Sequence, residues 1–213
     1  MQHRNVVIFG ESGAGKSSVV NMLLGKNMAP TSSGLSGCTF SSANYGIWIR
    51  DSQYSIYDTA GMNEAKQGTV SSNAAVKDLY RLITNLEDGV NLLVFCMRAK
   101  RITTNTVNNY KLFSDALSQG KVPVVAIVTG LEGHEPTMDA WWSENEASFD
   151  RYNMHFIGHA CITATKGKQI RGRYTFEAEY DMSKKAVENL IASNCRQDGW
   201  RMVPIQTFIS ITA

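Results

Sequence analysis

The chain has 213 residues, 43% of them hydrophobic, and a net charge of +2, which suits one α/β domain with a full core. So small a charge excludes a dedicated polyanion-binding surface, so nucleic acid is not an expected partner. No apolar run approaches the roughly 20 residues that cross a bilayer, and membrane contact would need a segment absent from this sequence. Cys38, Cys96, Cys161 and Cys195 share no metal-type spacing. Cys96 and Cys161, in apolar strand-like runs, read as core residues, and a reducing, cytoplasmic setting is expected rather than a disulfide framework. A strand within a few residues of Met1 leaves no room for a signal peptide.

In chain order, Val6-Val7-Ile8-Phe9 reads as a buried strand, and Ser18 to Leu24 as a helix with Val19, Leu23 and Val20 as inward candidates. Gly25 to Cys38 is a Ser/Gly/Thr-rich loop. Two strands are expected over Thr39–Arg50 and Gln53–Tyr57, joined tightly at Arg50-Asp51-Ser52, with Tyr45, Ile47 and Ile49 alternating inward. After a polar loop from Gly61, a helix places Val76, Leu79, Ile83 and Leu86 on one face. Val90–Met97 and Val122–Val128 read as strands buried on both faces, with a helix at Thr104–Ser118 between them. Pro136 is expected to open the next helix, anchored by Trp141, Trp142 and Phe149. His155–Thr163 returns as a strand, and Asp181 or Ser183 is expected to cap a last helix carrying Val187, Leu190 and Ile191. This alternation calls for an α/β three-layer sandwich around a mostly parallel sheet. The domain is drawn over residues 1–197, with 198–213 as a C-terminal strand or tail.

Gly10-Glu11-Ser12-Gly13-Ala14-Gly15-Lys16-Ser17 fits the phosphate-loop pattern between a strand and a helix. Backbone N–H groups through Ser18, and the helix N-terminus, are thereby aimed at a polyphosphate. Lys16 is expected at the terminal phosphates and the Ser17 hydroxyl on Mg²⁺. A chance glycine turn is the bland alternative.

About 40 residues later Asp58-Thr59-Ala60-Gly61 closes a strand, the position for a carboxylate that holds Mg²⁺ through water and a glycine N–H offered to a γ-phosphate. Thr39, after Ser36-Gly37-Cys38, can add a hydroxyl to the metal and an N–H to the γ-phosphate, a contact that orders the loop with triphosphate. Thr31, Ser32, Ser33 and Ser36 crowd the same loop.

On these motifs, and on the looser box Lys100-Arg101-Ile102-Thr103, the chain resembles a P-loop GTPase of the septin, chloroplast import receptor and AIG-type branch over about Val6 to Cys195. The resemblance implies GTP/GDP and Mg²⁺ as ligands. It implies Thr129 in place of the usual base-motif Asn, Glu132 as the carboxylate that reads guanine, and Thr163-Ala164-Thr165 as the last base-contacting loop. Gly130 stands where a lysine normally packs along the base. Met62 replaces the glutamine that orients water in Ras-like enzymes, so slow hydrolysis is expected. Related families pair across the nucleotide face, which makes Arg101 the candidate catalytic arginine in a nucleotide-dependent homodimer, with Arg98 second; a solvated loop arginine is the plain alternative. Two other readings remain open here: a scaffold that holds the nucleotide with negligible turnover, and a P-loop kinase.

Overall fold

The computed structural model describes residues 4–27, 29, 43–59, 77 and 79–202. Six strands form one sheet in the order β2-β3-β1-β4-β5-β6. They are β1 (Arg4–Phe9), β2 (Ala43–Ile49), β3 (Ser52–Asp58), β4 (Leu92–Arg98), β5 (Val124–Thr129) and β6 (His159–Ile162). All neighbours run parallel except the β2–β3 hairpin.

Near-continuous apolar strands make sense because both faces of the sheet are covered. Successive side chains alternate between them. Val6 and Ile8 enter a cluster with Val19, Val20 and Leu23 of α1 (Lys16–Leu24) and Val187, Leu190 and Ile191 of α5 (Glu177–Asn194). Val7 and Phe9 enter the opposite cluster. Leu79 and Ile83 of α2 (helical over 79–85), Tyr110 of α3 (Thr104–Lys111), Phe113 of the π-helical turn Leu112–Leu117, and Trp142 and Phe149 of α4 (Ala140–Arg151) fill that side. Phe9 stacks on Phe113 with centroids 4.0 Å apart. Each such side chain, fully buried, contributes about 1.5–3 kcal/mol. The three-layer α/β expectation therefore holds, and the inward residues named for the first and last helices are buried as expected.

Some boundaries moved. α1 begins at Lys16, because Gly15 is its N-cap in a left-handed conformation, and it stops where the N–H of left-handed Gly25 bonds the Met22 carbonyl. α4 starts at Ala140, four residues beyond Pro136; Thr137 makes the entry turn by accepting from the Ala140 N–H. β6 is shorter than expected, although Ile157 and Gly158 still bond β5 backbone. A small hairpin, β7 (Gln169–Ile170) with β8 (Arg173–Tyr174), was not anticipated. Its two-residue turn, Arg171-Gly172, has φ of 51° and 82°. Trp200 pairs antiparallel with Val90, so the chain just past residue 197 packs against the start of the β4 region. Val76 lies outside the described residues. Cys96 and Cys161 are core residues whose thiols burial pushes up to about 12, and Cys195 shares that shift. None of these three is in a disulfide.

The last helix corrects a further expectation. It begins at Glu177, with Glu177 and Glu179 in its first turn, where acids complement the helix dipole. Asp181 and Ser183 lie inside it and cap nothing. The Ser183 hydroxyl donates to the Glu179 carbonyl at 2.6 Å and accepts from the buried Thr163 N–H at 3.1 Å. Replacing Ser183 by Ala leaves that N–H without a partner, at an expected cost of about 1–3 kcal/mol. Urea unfolding measures it, and a cost near zero contradicts this role.

Candidate functional site

Parallel strands carry their sites at their carboxyl ends, and here the loops after β1, β3, β4 and β5 converge there. The loop 10–15 leaves β1 through Gly10, at a φ of 143°. A Cβ there would sit 2.0 Å from the Cys96 carbonyl oxygen, so only glycine lets the loop pass β4 this closely. No side chain caps α1, and no acid lies in its first turn. Its leading amides therefore keep the positive end of the helix dipole toward the loop. Lys16 is buried, and its Nζ donates to the Gly10 and Glu11 carbonyls at 3.1 and 3.0 Å.

Across the loop, Ser17 Oγ donates to Asp58 Oδ2 at 2.6 Å. Among the described residues Asp58 Oδ1 is buried with no hydrogen-bond partner. Burial pushes the Asp58 carboxyl above its ordinary range, against the opposing pull of the Ser17 hydrogen bond and the Lys16 charge. The sequence-expected metal residues Ser17 and Asp58 are thus brought together, with one carboxylate oxygen uncommitted. Thr39 and Gly61 lie outside the described residues, as do Ala60 and Met62.

The base-loop residues fall beside the phosphate loop. Thr129 is buried, and its hydroxyl donates to the Ala14 carbonyl at 2.8 Å, bracing the loop from β5. Cys96 Sγ reaches the same carbonyl at 3.2 Å. Glu132 lines a cavity of about 540 Å³ between the 131–139 loop, β6 and α5, and among the described residues its Oε2 is buried without a partner. His134 lines the same cavity, with Nε2 3.5 Å from Glu144 Oε2. Thr163, Ala164 and Thr165 form a self-tied turn: Thr163 Oγ1 donates to the Thr165 carbonyl and accepts from the Thr165 N–H. His159 is structural, stacked on Trp142 at 4.2 Å.

The box residues divide. Lys100 Nζ bonds Glu11 Oε2 at 2.7 Å, while the hydroxyls of Thr103 and Thr106 donate to Glu11 Oε1 at 3.2 and 2.5 Å. Thr103 also caps α3 in a reciprocal capping box with Thr106. Arg101 is exposed instead, on a groove of about 490 Å³ that it shares with Trp141 and Arg151. Sequence reading took Glu11 as a loop backbone position and missed that its side chain ties the phosphate loop to α3. A short polar run opening a helix after β4 was the available signal.

The chain is similar to known proteins. Residues 5–129 match the family described as 50S ribosome-binding GTPase. Over 200 residues the chain is 29% identical to immune-associated nucleotide-binding protein 7 of Arabidopsis thaliana, covering 91% of this chain and 63% of that one, so it spans under two thirds of that relative. Among solved structures it is similar to Toc33 of Arabidopsis thaliana, crystallised as a dimerisation-deficient arginine-to-alanine mutant. That match has TM-score 0.66 and 15% identity, and covers 94% of this chain and 88% of the other. Toc33 in complex with GDP and Mg²⁺ matches with TM-score 0.64 and 14% identity, over 92% and 87% of the two chains.

The Glu11 clasp carries a pH signature. Burial alone raises the Glu11 carboxyl, but the Lys100 ammonium and the two threonine hydroxyls outweigh it and hold the pKa below the ordinary 4.5. A depressed carboxyl stabilises the fold fully above its unfolded value and loses that contribution as pH falls through the folded one. Parent and Glu11→Gln should therefore differ in urea-unfolding stability at pH 7, and the difference should shrink as pH falls from the ordinary 4.5 through the depressed folded value. A difference that persists unchanged into that acid range contradicts the clasp. With a GTPase match running over residues 5–129, from β1 through β5, the chain belongs to the 50S ribosome-binding GTPase family.

Proposed function

We propose that the protein is a Mg²⁺-dependent guanine-nucleotide switch that hydrolyses GTP slowly and self-associates in its triphosphate state. The carrying observation is the junction of loop and metal pair: an uncapped helix start, buried Lys16, and Ser17 bonded to Asp58 with Oδ1 left unpartnered. A buried carboxylate oxygen without a donor is costly on its own. A divalent cation is the partner that suits a hydroxyl and a carboxylate held this close. Ser17 would hold the ion directly and Asp58 through water, with Thr39 as the third oxygen donor. Bound there, the ion neutralises charge on the β- and γ-phosphate oxygens.

The chain's own residues supply the rest. The amides from Gly13 to Ser18 and the Lys16 ammonium bind the phosphates, and Gly61 offers an N–H to the γ-phosphate. Glu132, with Oε2 unpartnered, suits the paired N–H donors of guanine, which adenine lacks. Met62 has no group that can orient water, so turnover is slow unless a partner contributes. For the chloroplast translocon components Toc33 and Toc159, dimerisation is important for GTPase activity. The exposure of Arg101 on the loop after β4 supports it as the residue offered to a second copy. Membership of a GTPase family favours this reading over a kinase. A cytoplasmic setting belongs to the same proposal.

One series tests it: GTP hydrolysis per molecule across a wide dilution range, with and without a chelator, for the parent and Arg101→Ala. The expected outcome is a slow rate that rises with protein concentration, vanishes on chelation and loses its concentration dependence in Arg101→Ala. A rate that is fast, independent of dilution or indifferent to chelation contradicts the proposal, while no measurable turnover despite tight GTP binding supports the scaffold reading.

A further inference from the structure

The base loop lacks the lysine whose stem would lie along the base, and the backbone explains why nothing replaces it in place. Gly130 has a φ of 82°, a conformation that side-chain-bearing residues seldom adopt. A Cβ at that position would also meet another side chain: Nε of Arg98 at 3.2 Å, Cγ at 3.3 Å and Cζ at 3.7 Å. Arg98 closes β4 directly opposite Thr129 in the sheet register. Its side chain is exposed, and among the described residues it has no hydrogen-bond or ion-pair partner.

We propose that Arg98 covers one face of the nucleotide base, supplying from the neighbouring strand the surface that position 130 cannot. The guanidinium group is planar and weakly hydrated and stacks well on aromatic rings. Its location follows from contacts already described. Thr129 is fastened to the phosphate loop through the Ala14 carbonyl, which sets Gly130 at the rim of that loop. Glu132 stands two residues on. A group lying against Gly130 therefore lies beside the base loop. Lys100 and Thr103, further along the same segment, turn to Glu11 instead. Arg98 and Arg101 thus have separate tasks, the first at the base and the second at a groove shared with α4.

The inference rests on the proposed nucleotide site but not on guanine selectivity, because a stacked guanidinium covers either purine alike. Calorimetric titration of the parent, Arg98→Ala and Arg98→Lys with GDP, ADP and inorganic tripolyphosphate, all with Mg²⁺, separates the cases. Arg98→Ala should weaken GDP binding by roughly three- to thirtyfold, the range of a cation–π contact. Its tripolyphosphate affinity should match the parent's, and Arg98→Lys should keep part of the loss back through its stem. Equal melting temperatures check that the fold is intact. Unchanged GDP affinity in Arg98→Ala overturns the proposal. So does a loss of the same size for GDP and tripolyphosphate, which would put the guanidinium on the phosphates. If the parent binds GDP and ADP equally, the guanine role of Glu132 fails, and Arg98 is still decided by whether its removal weakens both. If the parent binds none of the three ligands, the nucleotide site and the Arg98 proposal fall together.

Discussion

The site depends on the bracing of one short loop. A strand-to-helix loop that must point several N–H groups at one place has its own carbonyls to satisfy, and left alone it would rearrange. Here the Ala14 carbonyl takes the Thr129 hydroxyl and the Cys96 thiol, while the Glu11 side chain is held by Lys100, Thr103 and Thr106. Gly10 lets the loop pass within contact of the β4 backbone. Three neighbouring elements thus fix the phosphate loop. Its donors are oriented before any ligand arrives, so binding does not have to cover the entropy of ordering them.

The same bracing shapes the electrostatics. Lys16 and the uncapped start of α1 concentrate positive potential in a buried setting, where charges interact more strongly than at the surface. Asp58 opposes them from β3 with one oxygen committed to Ser17 and the other, among the described residues, without a partner. Glu11 carries negative charge into the loop as well, but Lys100 compensates it. The tie also runs onward: Thr103 and Thr106 start α3, so a displacement of that helix acts on the loop through Glu11.

What the sequence made legible is what chain-local physics controls. Strand, glycine loop and helix at residues 4–24 follow from periodicity and left-handed glycines, and the buried strands β4 and β5 from unbroken apolar runs. What it hid are choices made across the fold. Ser183 looks like a helix cap, yet its hydroxyl bridges Glu179 and Thr163. The Thr129 hydroxyl braces the loop 10–15 through the Ala14 carbonyl, a contact across 115 positions. Glu11 and Thr106 are 95 positions apart, and no local pattern announces their contact. The β7–β8 hairpin went unnoticed because Arg171 occupies a turn position that Asn or Asp usually marks. Pro136 suggested a helix start, but the turn at Thr137 decides where α4 begins.

Nucleotide affinity of Lys16→Ala probes the account at its root. Lys16 is the buried cation at the head of the loop's helix, and a charge-assisted contact of this kind is worth about 1.5–3 kcal/mol. Calorimetry with GTP and Mg²⁺ should show binding weakened by roughly ten- to a hundredfold while the melting profile of the unliganded protein stays cooperative. If the variant takes up GTP as tightly as the parent, the loop does not hold the phosphates and the site lies elsewhere.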